Sequence, residues 1–220
     1  YYPDALVVAD LNNDGKPDLA TANGPNLSVS VLLNTTAPGA TTPTFAARVT
    51  FSNGSYPYAI AVGDINGDGK PDLVTANYYT GGGKTVSVLR NTTASGAATP
   101  TFAAKVDFAV GYVPRQVAVT DLDGDGKPDL VTANGGDDDS VSVLRNTTIS
   151  GTTDLSFADA VTFGSYNTPN SVVVADLNDD GKPDLVTPNL NYTRVAVLRN
   201  TTASEAITPS GAPLPIFSGC

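Results

Sequence analysis

The sequence predicts an all-β fold assembled from four copies of a four-stranded antiparallel blade. Three observations predict it. One block recurs four times in 220 residues, apolar and polar residues alternate with a period of two inside each copy, and every alternating run is bounded by Gly, Pro, Asn or Asp. No window holds a helical period with caps. Four short strands per unit of about 55 residues suit the blade of a β-propeller, compact with four blades or part of a larger one. A sandwich fits less well, because its strands do not recur as a block.

The elements of one copy follow in order. A proline, at Pro3, Pro57, Pro114 and Pro169, lies seven residues before each leading aspartate, Asp10, Asp64, Asp121 and Asp176. Those aspartates are separated by 54, 57 and 55 residues. Between proline and aspartate runs a short apolar strand, such as "AIAV" from Ala59 to Val62. An acidic loop comes next, then a second strand such as "DLVTA" from Asp72 to Ala76. A third strand ends in the same triplet each time: "SVSVLLNTT", "TVSVLRNTT", "SVSVLRNTT" and "RVAVLRNTT". Small, polar linkers such as "TTAPGATTPT" lead to "PTFAARVTF", "PTFAAKVDF" or "LSFADAVTF", read as an outer strand preceding the next copy. The repeats then fall at about 1–42, 43–98, 99–153 and 154–208 of a single domain, with 209–220 a closing or exchanged tail strand. On this division the first copy lacks an outer strand, and the tail "APLPIF" is spare.

Each loop reads D-x-(D/N)-x-D-G-K-P-D, with side-chain oxygens at positions one, three, five and nine and glycine at six. A hard divalent cation requires this arrangement: alternate residues of a tight loop turn oxygens inward, the glycine permits the bend, and the position-seven carbonyl joins the shell. The candidate metal ligands are Asp10, Asn12, Asp14, the Lys16 carbonyl and Asp18 in the first loop. They are Asp64, Asn66, Asp68, the Lys70 carbonyl and Asp72 in the second, and Asp121, Asp123, Asp125, the Lys127 carbonyl and Asp129 in the third. The fourth set is Asp176, Asn178, Asp180, the Lys182 carbonyl and Asp184. An EF-hand is excluded, because position twelve holds Thr21, Thr75, Thr132 or Thr187 where that loop needs a bidentate Glu. Calcium suits a flexible, all-oxygen site better than magnesium, and transition metals lack His or usable Cys. The alternative is an ordinary Asp/Asn/Gly turn. Fourfold recurrence with every ligand position filled favours about four calcium ions.

Composition agrees. The formal net charge is −10, which argues against nucleic acid or an anionic membrane as partner. Thirteen of the 22 acids sit at proposed ligand positions, where without cations they would repel. Four calcium ions would bring the charge to about −2. Glu205 is the only glutamate, His is absent, and the only cysteine is Cys220, so no internal disulfide forms and catalysis lacks a nucleophile paired with a base. No apolar run is long enough to span a membrane. The chain begins at Tyr1 without a targeting segment, as expected of a processed secreted protein or an excised fragment.

Other signals carry less. Tyr2, Tyr56, Tyr112 and Tyr166, with Tyr58, Tyr78, Tyr79 and Tyr192 nearby, either pack strand entries, the preferred reading, or stack on a sugar. Sequons at Asn34, Asn91, Asn146 and Asn200, and at Asn26, Asn53 and Asn191, are glycan sites or, preferably for the NTT four, strand-ending turns. "NGGDDDS" (Asn134 to Ser140) reads as a solvated hairpin turn, and "GGGK" (Gly81 to Lys84) lacks the rest of a phosphate loop.

The block "YPYAIAVGDINGDGKPDLVTAN" resembles the FG-GAP/VCBS repeat family, the blades of integrin α-subunit propellers and of many secreted proteins. The resemblance covers essentially the whole chain. It implies a β-propeller with one calcium ion per loop, held at the positions named above. Family members commonly carry seven blades, and this chain has four repeats. The expected function is a secreted, non-enzymatic calcium-binding module for extracellular adhesion or self-assembly, contacting an extracellular protein or other copies of itself. A carbohydrate-binding lectin is the alternative, and an accessory domain of a secreted enzyme ranks third.

Overall fold

In the computed structural model, which describes residues 2–78, 83–136, 139–165, 168–189, 194–202 and 217–219, the period-two runs form sixteen strands in four separate sheets. The first sheet contains β1 (Ala5–Ala9), β2 (Asp18–Asn23), β3 (Ser28–Leu32) and β4 (Val49–Ser52). The second contains β5 (Pro57–Gly63), β6 (Asp72–Asn77), β7 (Thr85–Leu89) and β8 (Val106–Ala109). The third contains β9 (Pro114–Thr120), β10 (Asp129–Asn134), β11 (Ser140–Leu144) and β12 (Val161–Gly164). The fourth contains β13 (Val173–Ala175), β14 (Asp184–Asn189), β15 (Arg194–Asn200) and β16 (Phe217–Gly219). Each sheet is an antiparallel meander in chain order, which is the blade of a propeller-like fold.

One strand changes hands relative to the sequence division. The "FAARVTF" type of strand closes the preceding blade instead of opening the next one: β4 pairs with β3, Val29 opposite Phe51. The first blade therefore lacks nothing. The fourth takes its outer strand from the tail, where β16 pairs with β15, Asn200 opposite Phe217. The reason is hydrogen bonding. The linkers after the first three NTT triplets double straight back along their own sheets, with Ala46 N–H bonded to the Leu33 carbonyl at 2.8 Å, Ala103 N–H to Arg90 at 2.8 Å and Ala158 N–H to Arg145 at 2.9 Å.

The second strands of the two middle blades, β6 and β10, are buried on both faces, which explains their composition. Alternate residues (Val74 and Ala76 in β6) are apolar, and the others carry a polar ladder. Thr75 Oγ1 donates to Asn77 Oδ1 at 3.1 Å, and Asn77 Nδ2 donates to Ser87 Oγ at 2.8 Å. Thr132, Asn134 and Ser142 repeat it at 2.8 and 2.8 Å. "TAN" and "SVS" are thus two halves of one internally satisfied network. In the fourth blade Ala196 stands where the serine belongs, opposite Thr187, and buried Thr187 Oγ1 and Asn189 Oδ1 have no partner.

The apolar core lies between blades. One cluster joins Leu11, Val29 and Val31 of the first sheet to Ile60, Leu73 and Leu89 of the second. A second joins Ile65, Val86 and Val88 to Val117, Leu130 and Leu144. A third joins Leu122, Val141 and Val143 to Val172, Leu185 and Leu198. Phe51 and Phe102 meet edge-to-face at 5.0 Å, as do Phe108 and Phe157 at 4.8 Å. Among the described residues no such cluster joins the fourth sheet to the first. Among the described residues the apolar clusters form three interfaces, each between consecutive blades.

Candidate metal centres

The four acidic loops connect the first and second strands of the blades and fold alike. The leading aspartate accepts two backbone N–H bonds across the turn: Asp14 and Gly15 donate to Asp10 at 3.0 and 2.7 Å, Asp68 and Gly69 to Asp64 at 3.0 and 2.8 Å. Asp180 and Gly181 do the same to Asp176 at 3.2 and 2.8 Å, while in the third loop Gly124 and Gly126 donate to Asp121, both at 2.8 Å. The fifth-position aspartates, Asp14, Asp68, Asp125 and Asp180, each accept from the N–H of Lys16, Lys70, Lys127 or Lys182 at 2.9–3.0 Å. This fold needs glycine at position six, where φ is +79 to +83° at Gly15, Gly69, Gly126 and Gly181.

The ninth-position aspartates, Asp18, Asp72, Asp129 and Asp184, are almost wholly buried. Each closes the loop by accepting from the second residue's N–H: Leu11 at 2.8 Å, Ile65 at 3.0 Å, Leu122 at 3.0 Å and Leu177 at 3.2 Å. Burial pushes the carboxyls of Asp72 and Asp129 up to about 7, against the pull of two N–H donors and helped by neighbouring acids. Burial raises Asp18 and Asp123 too, and the Asn178 side chain lowers Asp180.

The donor set fits a hard cation. Carboxylate oxygens of Asp121, Asp123 and Asp129 lie within 4.8 Å of one another. In the first two loops the third candidate ligand is Asn12 or Asn66, whose Nδ2 donates to the next blade's linker, at the Ala97 carbonyl (3.1 Å) and the Thr152 carbonyl (2.8 Å). The Oδ1 of each is buried without any hydrogen-bond partner. A buried oxygen lacking a donor, in a loop whose carboxylates burial keeps from ionising, is what a divalent cation would satisfy. The fourth loop is the most open, with Asp176, Asn178 and Asp180 exposed.

The asparagines of the second, third and fourth NTT triplets are positioning residues, a role beyond the two the sequence suggests, a glycan site or the preferred strand-ending turn. Asn91 and Asn146 are fully buried, and both amide hydrogens are used: Asn91 Nδ2 donates to the Pro71 carbonyl of its own loop and to the Leu11 carbonyl of the preceding loop, both at 2.9 Å. Asn146 binds Pro128 and Ile65 at 2.9 and 2.9 Å, and Asn200 binds Pro183 and Leu122 at 3.2 and 2.8 Å. Their backbone N–H groups bond the ninth aspartate of their own blade, at 2.7 Å in each case. Side chains so spent are turns, not glycan acceptors. The return of NTT 16 to 19 residues after every ninth aspartate was the available signal.

Asn53 is likewise buried, whereas Asn26 is exposed on a 3-10 turn, Gly24–Asn26. Tyr56 and Tyr58 both contact Tyr78, at 6.1 and 5.2 Å between centroids, beside a recess of about 280 Å³ lined by Leu27, Ser55, Tyr56, Asn77 and Thr85. Tyr112 packs under the Lys84 ammonium at 3.3 Å. Tyr79, Tyr166, Asn191, Tyr192, Glu205 and Cys220 lie outside the described residues. Among the described residues no helix is long and apolar enough to cross a membrane.

No curated protein matches the chain. A family model described as the FG-GAP-like repeat matches residues 10–75 and 121–187, more than half of the chain, each match starting at a leading aspartate. With four recurring loops, four-stranded blades and this match, the chain belongs to the FG-GAP-like repeat family.

Proposed function

We propose that the chain is a secreted, non-enzymatic, calcium-binding propeller module that serves extracellular adhesion or structural self-assembly. The calcium part is carried by two observations on equivalent loops: Asn12 and Asn66 Oδ1 are buried without a partner in the first two, and carboxylate oxygens of Asp121, Asp123 and Asp129 converge within 4.8 Å in the third. A bound calcium ion would supply positive charge to Asp10, Asn12, Asp14 and Asp18 and to their counterparts, keeping the buried acids ionised and the loops rigid. The absence of His, the single Glu and the use of loop acids as backbone acceptors favour binding over catalysis. Acidic faces and an Asp-rich composition suit the calcium-rich extracellular medium.

Titration calorimetry on metal-stripped protein tests this. About four sites of micromolar to millimolar affinity are expected, with magnesium binding more weakly. No heat with calcium, together with an unchanged melting temperature in chelator, would overturn it. A lectin role is favoured by one observation, the recess between Tyr56 and Asn77 beside the tyrosine cluster. A glycan array compared with a Tyr56→Ala variant decides it.

A further inference from the structure

The third residue of the first two acidic loops is held by the blade that follows. Gly96 N–H donates to the Asn12 backbone carbonyl at 2.7 Å, and Asn12 Nδ2 donates to the Ala97 carbonyl at 3.1 Å. The second loop repeats both bonds. Gly151 N–H donates to the Asn66 carbonyl at 2.6 Å, and Asn66 Nδ2 to the Thr152 carbonyl at 2.8 Å. The clamp is the tip of the linker after NTT, a turn closed by Ala97 N–H on the Ala94 carbonyl at 3.0 Å and by Thr152 N–H on the Ile149 carbonyl at 3.1 Å. Gly96 and Gly151 sit in these turns at φ +68 and +78°, and both are exposed.

This clamp decides which end of the amide is left over. A carbonyl only accepts, so the amide nitrogen must be the end turned to the linker. Asn12 and Asn66 are 5 and 2% exposed, and their Oδ1 atoms have no hydrogen-bond partner. Asn66 Nδ2 also donates to Asp68 Oδ2 at 3.2 Å, which sets the amide against the loop's own carboxylates. An ionised aspartate could not take this place, because it has no hydrogen to give the linker and would set a charged oxygen against a carbonyl. In sequence the third loop departs at both positions together: Asp123 stands where Asn12 and Asn66 stand, and Glu205, five residues after its NTT asparagine, stands where Gly96 and Gly151 stand.

We infer that the linker turn of one blade belongs to the metal centre of the blade before it. Gly96 with Ala97, and Gly151 with Thr152, are positioning residues that orient Asn12 and Asn66 to offer Oδ1 to a calcium ion. Each of these two ions then depends on two blades, one supplying the acids and the next aligning the amide. Partners that orient a metal ligand typically change metal affinity by about 10–100-fold when lost. This role rests on the calcium binding proposed above.

Amide NMR during calcium titration of the metal-stripped protein tests it, with Gly15 reporting the first loop and Gly126 the third. Gly96→Pro removes the donor N–H and forbids a positive φ, at an exposed position where an added Cβ meets nothing within 4 Å. It should weaken calcium binding at Gly15 by at least about 10-fold and leave Gly126 within about twofold of the wild type. Gly96→Asn keeps the N–H and tolerates the backbone conformation, so it should bind as the wild type does. Asn12→Asp adds a carboxylate, and charge alone would tighten the first loop. The lost bond to Ala97 should instead weaken it, again by about 10-fold. Wild-type affinity at Gly15 in Gly96→Pro, equal weakening at Gly15 and Gly126, or unchanged or tighter binding in Asn12→Asp would each overturn the inference, and the wild type's own titration would leave the metal sites standing. A wild type whose loop amides ignore calcium would overturn the metal sites and the clamp's role together.

Discussion

Replacing Asn146 by alanine should cost more stability than the same change at Asn34, although both begin an NTT triplet. Asn146 is fully buried and makes three side-chain hydrogen bonds: to the Pro128 carbonyl, to the Ile65 carbonyl of the neighbouring blade, and from the Thr148 N–H, all at 2.9 Å. Each contributes about 1 kcal/mol net, and the groups left behind are buried, so the loss is about 3–5 kcal/mol. Asn34 makes the two intrablade bonds only, to Pro17 and from Thr36, at a half-buried site, and should lose about 1–2 kcal/mol. Urea denaturation in the presence of calcium, followed by far-UV circular dichroism, reads both. If the two variants lose the same stability to within about 0.5 kcal/mol, the interblade bond contributes nothing and the reasoning fails.

Restoring the missing serine with Ala196→Ser should give Asn189 Nδ2 the acceptor that Ser87 and Ser142 provide in the second and third blades, turn Asn189 Oδ1 toward Thr187 Oγ1 as in those blades, and raise stability by about 1 kcal/mol, visible as a higher urea midpoint. An unchanged or lower midpoint would show that the fourth blade has relaxed around the alanine. In chelator, stability should fall as pH rises from about 4 through about 7. Asp72 and Asp129 have folded-state pKa values raised from 3.8 to about 7, so the folded chain binds protons more tightly than the unfolded one and is favoured on the acid side. Exposed Asp180, lowered, acts in the opposite direction at lower pH. With calcium the trend should invert, since protons then compete with the ion. Melting temperatures at pH 5 and 7.5 check both arms, and a chelated protein that melts higher at 7.5 would contradict the burial argument.

The loops were legible because metal chemistry is written in residue types at short fixed spacing: Asp64, Asn66, Asp68, Gly69 and Asp72 lie within nine residues. The strands were legible for the same local reason, a period of two. What the sequence concealed depends on distant partners. Asn91 looked like a turn residue because the carbonyl it holds, that of Leu11, lies 80 positions away. "FAARVTF" was attached to the wrong neighbour because pairing depends on which edge the linker meets, and alternation is silent on that. Leu6 and Ile60 look alike in the pattern, and only a neighbouring blade distinguishes buried from exposed.

The loops are joined by one continuous path, and this bears on how ions would bind. Leu11 N–H bonds Asp18, its carbonyl accepts from Asn91 Nδ2, and Asn91 N–H bonds Asp72, which holds Ile65. Ile65 passes the same pattern through Asn146 to Asp129 and Leu122, and from there through Asn200 to Asp184. Every peptide and amide in this path is fixed at both ends, so ordering one loop reduces the freedom left for the next to lose. Calcium binding should therefore be positively cooperative, with a Hill coefficient above 1 and a coupling of about 1 kcal/mol between adjacent sites. Asn146→Ala cuts the path between the second and third loops. The isotherm should then resolve into two less cooperative pairs, with total stoichiometry unchanged. Independent sites in the wild type, or an isotherm that Asn146→Ala leaves unaltered, would mean that the path is architecture alone and that each loop answers to its own ion.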